Sequence, residues 1–323
     1  MIRALITFGA GMILSAGLGY LLLPVLRALK AGQSIREVGP TWHNSKAGTP
    51  MMGGLMFIFA LIICVVGNLI AGTITDYTVI YVLVLSLCFG LVGFLDDYFK
   101  IKHKQNMGLT SLQKFMLQLA VSAIYLYLMW KFQGMSTDLV IPFTGHLIHV
   151  NTIVYIFFAM FVMVGCVNAV NLTDGVDGLC GSVTIPVMVF FAAVAVLKGR
   201  TDVALVPAAL AGGLIAYLFY NWHPAKVFMG DTGSLFLGGV VCALAFALEM
   251  PLILLLVGLV YIVETLSVIL QVGYFKLTHG KRIFKMAPIH HHFEMCGWKE
   301  VKVVLVFAAV SAIACVIAWF GVI

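Results

Sequence analysis

Two adjacent aspartates, Asp96 and Asp97, end an apolar stretch of the chain, and a basic run that includes Lys100 and Lys104 follows them directly. A charged side chain at the centre of a bilayer costs roughly 2.5 to 3.5 kcal/mol, so this pair is expected at a water boundary or in a wet cavity. Carboxylates beside lysines suit the binding of a divalent cation together with a phosphorylated ligand. A charged helix end that only anchors the segment is the alternative interpretation.

A second polar stretch, NAVNLTDGVDG at 168–178, carries Asn171, Asp174 and Asp177. Glycine permits positive φ, and Asn and Asp side chains bond neighbouring amides, so this composition predicts a loop with tight turns. A helix cap followed by a turn accounts for some of these residues but not for all of them. The stretch is not a calcium-binding EF-hand loop, because the repeated Asp/Asn positions and the final Glu of that loop are absent.

The third polar stretch, 220–234, ends in Gly-Asp-Thr-Gly-Ser and opens an apolar segment. A helix that begins here would direct backbone amides at an anion, and Asp231 could hold the cation that bridges to it. Asp231 as a plain N-cap is the alternative. No GxxxxGK[S/T] phosphate loop occurs in the chain. Phe228 lies in an otherwise polar loop and could stack on a planar ring, or anchor the membrane edge.

The fourth stretch contains three consecutive histidines, 290–292, in a basic loop. Consecutive residues of a helix or strand point in different directions, so the three cannot all bind one metal. One of them is instead expected to donate to a phosphate. In the preceding apolar segment, Glu264, Ser267, Gln271 and Tyr274 recur at helical spacing, which predicts a face that lines a groove. A bond from Glu264 to a neighbouring helix is the alternative.

The composition shows what must position these stretches. The chain has 323 residues, of which 62% are hydrophobic and 10% charged, and its mean hydropathy is +1.09. These values predict a single, all-α, polytopic membrane domain over 1–323. Apolar runs near the ~20 residues that cross a bilayer number about ten. They cover 3–26, 51–72, 77–95, 111–130, 152–170, 181–197, 203–220, 233–248, 251–275 and 301–322.

Ten spans place both termini on one side of the membrane. All 19 lysines and arginines except Arg3, Lys131, Lys198 and Arg200 fall in the loops after the odd-numbered spans. Positive residues concentrate in cytoplasmic loops, so both termini are predicted outside, and the four polar stretches form a cleft on the cytoplasmic face. The net charge of +6 reflects this topology and does not indicate a nucleic-acid partner.

The remaining features carry no chemistry. Seven scattered cysteines without a CxxC pair are expected to pack as small apolar residues. The first span is too long for a signal-peptide core and is expected to be retained. Segments 139–143 and 146–150 predict a short outer hairpin. Three aspartates of the outer loops are expected to be solvated turn residues; they are Asp76, Asp138 and Asp202.

Together, the four stretches resemble the polyprenyl-phosphate N-acetylhexosamine-1-phosphate transferases, and most closely the branch that acts on UDP-N-acetylmuramoyl-pentapeptide. The resemblance covers essentially the whole chain. Its motifs are LDD at 95–97, NAVNLTDGVDGL at 168–179, NWHPAKVFMGDTGSL at 221–235 and PIHHHFE at 288–294. Each is weak alone, whereas all four in this order are highly specific.

The resemblance implies that undecaprenyl phosphate attacks the UDP-linked sugar phosphate, which gives the diphospho-linked lipid and UMP, with Mg²⁺ as cofactor. It implies a multi-pass enzyme of the bacterial plasma membrane that forms a homodimer. The implied catalytic residues are Asp96, Asp97, Asp231 as the metal ligand, and His290. The implied substrate-binding residues are Lys46, Lys100, Lys104, Asn171, Asp174, Asp177, Asn221, Phe228, Gln271, His291 and His292.

Three questions stay open at this point. Asp96 could act as a general base, but a phosphate with a second pKa of about 6 is already mostly dianionic at pH 7, which favours a positioning role. The sugar could instead be N-acetylglucosamine, which a related branch of the family uses. An ion-coupled transporter is the alternative from another class, since buried acids such as Glu264 are common there.

Overall fold

The structure, a computed structural model, describes residues 1–29, 48–103, 105 and 107–322. Within these ranges the chain is almost entirely helical. The helices are α1 Ile2–Ala28, α2 Leu55–Ile70, α3 Thr78–His103, α4 Ser111–Gln133, α5 Thr152–Thr173, α6 Leu179–Leu197, α7 Leu205–Asn221, α8 Gly230–Ala247, α9 Leu254–Val257, α10 Leu259–Leu277, α11 Ile289–Met295 and α12 Glu300–Phe320. Two strands, β1 Asp138–Val140 and β2 Leu147–His149, lie between α4 and α5.

The helices confirm the prediction of an all-α integral membrane protein. Among the described residues, eight helices are long and apolar enough to cross a bilayer, and α2 and α7 are apolar but only 16 and 17 residues long. The ten predicted spans therefore each correspond to an apolar helix. The number of crossings and the outward position of the termini stay predictions.

The ninth predicted span, 251–275, is wrong as a continuous helix. Residues Pro251–Ile253 form one 3₁₀ turn, α9 follows, and Gly258 separates α9 from α10 with φ −90° and ψ 9°. Proline and glycine are the weakest helix formers, and each stands at one of these breaks. The break allows α10 to take a direction of its own, and α10 packs against α5 and α12.

Local sequence signals fix the ends of several elements. Thr110 caps α4 in a capping box, because its hydroxyl accepts from the Gln113 amide at 3.2 Å while the Gln113 side chain accepts from the Thr110 amide at 2.9 Å. Gly134, in the left-handed conformation, ends the same helix. The predicted hairpin is confirmed, with β1 antiparallel to β2 and Leu139 opposite Ile148.

Helix α8 is the centre of the bundle. Every residue of α8 except Asp231 is buried, and α3 and α5 pack along its length. Small residues make this close packing possible: a Cβ at Gly238 would lie only 2.6 Å from the Cα of Val167 in α5. The one partly exposed residue of α8 thus lies at its first turn, where the polar stretches meet.

The opposite end of the bundle carries a polar network. Asp202 accepts hydrogen bonds from the amide and hydroxyl of Thr75 at 2.7 and 2.9 Å and from the Asp76 amide at 3.1 Å. Arg200 pairs with Asp76 at 2.6 Å. Because only 5% of Asp202 is exposed, the prediction that it is a solvated turn residue is wrong. It joins two loops that are far apart in sequence.

Candidate active site

Helices α3 and α8 bring the first and third polar stretches together. A Cβ at Gly93 would collide with the backbone of Asp231, so the glycine allows the two helices to touch. Asp97 then accepts hydrogen bonds from the amides of Asp231 and Thr232 at 3.2 and 2.9 Å and from the Thr232 hydroxyl at 2.6 Å. The carboxylate of Asp97 therefore satisfies the free amides at the start of α8.

This contact corrects two expectations. The alternative that Asp231 is the N-cap of α8 is wrong, because α8 begins at Gly230 and Asp231 lies inside its first turn. The backbone amides at this end were expected to face an anionic ligand. The anion that two of them bind is instead the carboxylate of Asp97, which also lies 2.5 Å from the position a Cβ would take at Gly230.

Two lysines hold the carboxylates of the cluster. The Lys100 ammonium lies 2.5 Å from Asp96 Oδ2, 3.0 Å from Asp231 Oδ2 and 3.9 Å from Asp97 Oδ1. Lys114, from the start of α4, lies 2.7 Å from Asp231 Oδ2. Three carboxylates therefore share two ammonium groups, and the cluster keeps a formal charge of −1.

The donors of this cluster fit a divalent cation. Oxygen atoms of Asp96, Asp97 and Asp231 all lie within 4.8 Å of one another, and carboxylate oxygens are the donors that Mg²⁺ and Ca²⁺ prefer. The side chain of Asp231 is 18% exposed while that of Asp97 is fully buried. Asp231 is thus the most exposed carboxylate of the three.

The second polar stretch reaches the same cluster through Asn171. Its amide group donates to Asp231 Oδ1 at 2.9 Å and to the Ser234 hydroxyl at 2.7 Å. Asp174 follows at the end of α5. Burial, together with the negative charges of Asp231, Asp97 and Asp177, raises the pKa of Asp174 well above its usual range. Burial and the neighbouring carboxylates therefore both favour the neutral form of Asp174.

The loop between Asp174 and α6 has the predicted tight turn. Gly178 has a φ of +78° and precedes α6. Gly175 does not have positive φ; its small size is needed because a Cβ there would collide with the imidazole of His290. Asp177 accepts a hydrogen bond from the Ala225 amide at 3.1 Å.

A second group of possible metal donors lies beside Asp177. His223 Nδ1 is 3.1 Å from Asp177 Oδ2 and 3.3 Å from Glu300 Oε2. The side chain of His223 is 41% exposed, whereas Asp177 and Glu300 are buried. Sequence reasoning did not find either as a site residue: His223 lies within the third polar stretch but was not singled out, and Glu300 lies at the start of α12, outside all four stretches.

Asn221 and Phe228 belong to the loop that carries His223. Asn221 accepts from the Gly178 amide at 3.0 Å and donates to the Val227 carbonyl at 2.8 Å. It therefore ties the second polar stretch to the third. Phe228 is partly buried, and its amide donates to the Pro50 carbonyl at 2.8 Å.

The histidine stretch folds back along α10. Gln271 Oε1 accepts from the amides of Ile283 and Phe284 at 3.1 and 2.8 Å, and His290 Nδ1 lies 3.0 Å from Glu264 Oε2. The predicted polar face of α10 thus contacts the stretch that follows this helix. The neighbouring histidines bond locally: His291 Nδ1 lies 2.6 Å from Glu294 Oε2, and His292 Nδ1 accepts from the Lys285 amide at 3.1 Å.

The structure thus brings together three of the predicted catalytic residues, Asp96, Asp97 and Asp231, and places Lys100 and Asn171 beside them. His290 contacts the neighbouring loop at Gly175. Lys46 and Lys104 lie outside the described residues. The functional role of each predicted residue stays a prediction. Sequence reasoning missed Lys114 as a partner of Asp231, although a lone lysine after a capping box on an apolar helix was a usable signal.

Carboxylates gathered beside lysines at the end of membrane helices provide the charges that phosphoryl transfer needs. Comparison with known proteins agrees with this chemistry. The family model described as glycosyl transferase family 4 matches residues 79–249. This match covers the first three polar stretches and the central helix α8.

Relatives that match over more than nine-tenths of their length identify the family within this class. The chain is 51% identical over 307 residues to the phospho-N-acetylmuramoyl-pentapeptide-transferase of Clostridium perfringens (strain 13), which covers 95% of each chain. The Clostridium botulinum (strain Alaska E43) enzyme of that name is 46% identical over 96% of this chain and 94% of its own. The Listeria innocua one is 45% identical over 92% and 91%. The chain therefore belongs to the phospho-N-acetylmuramoyl-pentapeptide-transferase family, and the transferase prediction is confirmed.

Proposed function

We propose that this enzyme transfers phospho-N-acetylmuramoyl-pentapeptide from its UDP-linked form to undecaprenyl phosphate and releases UMP, the first membrane step of peptidoglycan synthesis. The observation that carries the proposal is the meeting of Asp96, Asp97 and Asp231 beside two lysines, in a chain 51% identical to an enzyme of that name. We further propose that the chain is a single domain, that its site faces the cytoplasm of a bacterial cell, and that it forms a homodimer.

In this reaction a phosphate oxygen of the lipid attacks the phosphorus bonded to the sugar. The bond from that phosphorus to the oxygen bridging it to UMP breaks, and UMP leaves with the electron pair. Both reactants are anions, so the protein must bring them together and offset their charge. Lys100 and Lys114 supply positive charge at the cluster, and the proposed contacts of Lys46 and Lys104 would add to it.

Magnesium is the proposed cofactor, with Asp231 as its principal ligand and Asp96 beside it. When bound, the ion neutralises and orients the diphosphate. Asp97 is suited to a supporting role, because its two oxygens already accept bonds from the first turn of α8. It therefore fixes the position of Asp231.

Asp96 is proposed to position the reactants. Its Oδ1 accepts from the Leu109 amide at 2.9 Å and its Oδ2 contacts Lys100. These contacts suit a carboxylate that holds its neighbours in place, and the lipid phosphate is mostly dianionic at pH 7 without a base.

The nucleotide sugar is proposed to lie between the second, third and fourth polar stretches. Asp177 and Phe228, with Lys46, would bind uridine. Asp174, with Asn171, Asn221 and Gln271, would line the cleft for the rest of the nucleotide sugar. Lys100 and Lys104, with the histidines, would face diphosphate or peptide. Asn221 and Gln271 already bond loop backbone in the structure, which supports a role in shaping this cleft.

The test is UMP release by purified protein in detergent, with Mg²⁺ and a polyprenyl phosphate. UDP-N-acetylmuramoyl-pentapeptide is expected to react far faster than UDP-N-acetylglucosamine, because the basic loop after α10 can receive peptide carboxylates. Equal rates, or a preference for the smaller sugar, would assign the protein to the related branch. No metal-dependent release from either sugar, where no ion gradient exists, would overturn the transferase proposal.

A further inference from the structure

A buried carboxylate, Glu264, lies beside the histidine stretch. His290, at the start of α11, and Glu264, in α10, are both completely buried, and the Nδ1 of the histidine lies 3.0 Å from the Oε2 of the carboxylate. A carboxylate within apolar surroundings is costly and is retained in membrane segments mainly for function or pairing. Glu264 lies outside the motifs that define the reaction site.

The second polar atom of each side chain, Glu264 Oε1 and His290 Nε2, indicates where the pair acts. Within the described part of the chain, neither Glu264 Oε1 nor His290 Nε2 has a hydrogen-bond partner. Buried polar atoms are nearly always bonded, so such an atom calls for an explanation. Nε2 faces Gly175, where any Cβ would collide with it. It is therefore directed at the loop that carries Asp174 and Asp177.

The hydrogen bond to Glu264 determines how His290 can behave. A carboxylate acceptor fixes the proton on Nδ1 and the orientation of the ring. The second nitrogen then stands ready to bond a phosphate oxygen. His291 Nδ1 lies 2.6 Å from a different carboxylate, Glu294 Oε2, so the contact with Glu264 belongs to His290.

We propose that Glu264 is a positioning residue for the transfer reaction: it holds His290 so that Nε2 meets a phosphate oxygen of the substrate at the 174–178 loop. This inference rests on the proposed function for its substrate. It adds a buried residue of α10 to a site otherwise built at helix ends.

The activity test compares Glu264→Gln, which keeps an acceptor and loses the charge, with Glu264→Leu, which loses both. Loss of one preorganised contact to developing charge commonly costs about 10²-fold in rate, so kcat is expected to fall about 10²-fold in the Leu variant and less in the Gln variant, while KM changes little. Thr265→Val is the matched control, because the Thr265 hydroxyl donates to the Tyr261 carbonyl within the same helix. Its kcat is expected to stay near native.

A double-mutant cycle separates positioning from general stability. In a His290→Asn background, Glu264→Leu should cause no further loss of kcat, because the group it positions is absent; independent effects would instead add. Equal losses in both backgrounds, or native kcat in Glu264→Leu, would overturn the inference.

A spectroscopic measurement tests the contact without turnover and guards against a variant that folds poorly. With ¹⁵N-labelled histidine, the His290 signals, assigned by their loss in His290→Asn, are expected to show a protonated Nδ1 that changes in Glu264→Leu and not in Thr265→Val. Unchanged signals in Glu264→Leu would contradict the inference. If native protein releases no UMP but the signals change, the proposed function is wrong and the contact between Glu264 and His290 is supported. If the enzyme is active and substitution of Glu264 changes neither its rate nor the signals, the proposed function is supported and the positioning role is wrong.

Discussion

The two ends of the helix bundle use the same residue types in opposite ways. At one end, Asp202 accepts three hydrogen bonds from the loop at Thr75 and pairs with Arg3 at 3.3 Å. At the other, Asp96 and Asp231 share the single ammonium of Lys100. The first arrangement gives each carboxylate donors of its own, whereas the second crowds several carboxylates around too few cations.

The difference separates stabilisation from function. A buried acid with all of its partners contributes to folding, because removing it leaves donors without acceptors. Crowded acids repel one another, and a bound divalent cation relieves that repulsion. We therefore expect substitutions at the Asp202 end to change stability and substitutions at the Asp231 end to change activity.

The largest expected effect is at Asp231. Asp231→Asn should lower kcat by 10²-fold or more, since it removes the principal proposed metal ligand and a contact made in the transition state. Thermal unfolding in detergent should change little, because the amide still accepts a hydrogen bond. The measurement is UMP release over a range of Mg²⁺ concentration. Near-native activity in the purified variant would exclude Asp231 from the site.

Asp96→Asn tests the role of Asp96, at the same end of the bundle as Asp231. If this carboxylate positions the reactants, kcat should fall by about tenfold or more while the acidic limb of its pH profile persists at reduced height. The limb is recorded by UMP release between acidic and neutral pH. Disappearance of the limb would identify Asp96 as a general base and contradict the positioning role.

Asp202→Ala tests the other end. It leaves the amides of Thr75 and Asp76 without an acceptor, so the free energy of unfolding should fall by about 1–3 kcal/mol. Activity per folded molecule should remain native, because this network lies at the opposite end of the bundle. Asp138→Ala is the control: Asp138 pairs with His149, whose side chain is 81% exposed, and exposed pairs are worth about 0–1 kcal/mol. A drop in kcat with unchanged stability in Asp202→Ala would contradict the proposed difference between the two ends.

Lys114→Met gives a smaller effect on activity. Lys114 holds Asp231 from α4 at 2.7 Å, so its loss should lower kcat by about tenfold, in the range of one charge-assisted contact. Lys131→Met is the matched control, since Lys131 lies at the far end of the same helix and bonds only weakly to Tyr127 at 3.4 Å. Equal rates for the two variants would show that Lys114 does not support Asp231.

Lys114 also shows what the sequence could not reveal. The helices, the hairpin and the four polar stretches followed from hydropathy, turn residues and motif composition, which are local signals. The contacts of Lys114 with Asp231 and of Glu264 with His290 join residues 117 and 26 positions apart. Their existence depends on how α4, α8, α10 and α11 pack, and no local signal encodes that packing.

Asp202 and Glu300 show that the burial and partners of an acid also depend on contacts far along the chain. Asp202 stands in a polar loop and was expected to be solvated, yet long-range partners bury it. Glu300 stands at the start of an apolar helix, outside the four polar stretches, yet it lies beside His223. The type of each residue was informative, whereas its burial depended on which loops meet in the fold.

The smallest expected effect is the pH dependence of stability at the Asp202 end. Although burial opposes the change, hydrogen bonds from Thr75 and Asp76 and the charge of Arg3 lower the pKa of Asp202. Hydrogen bonds from Arg200 and Thr78 likewise outweigh burial and lower the pKa of Asp76. A carboxyl whose folded pKa lies below its unfolded value, about 3.9, stabilises the fold above that value and loses the contribution as pH falls through the folded pKa.

Native protein should therefore lose part of its stability below about pH 4. The variant Asp76→Asn/Asp202→Asn should be less stable at neutral pH and should approach native as the solution becomes more acidic. Thermal unfolding in detergent from pH 7 downward measures the gap. Ser311→Ala is the control, because its hydroxyl bonds the Val183 carbonyl at 2.9 Å and does not titrate. If the gap for the double variant stays as constant as that control's, carboxylate ionisation does not stabilise this end, and the contrast between the two ends loses its electrostatic basis.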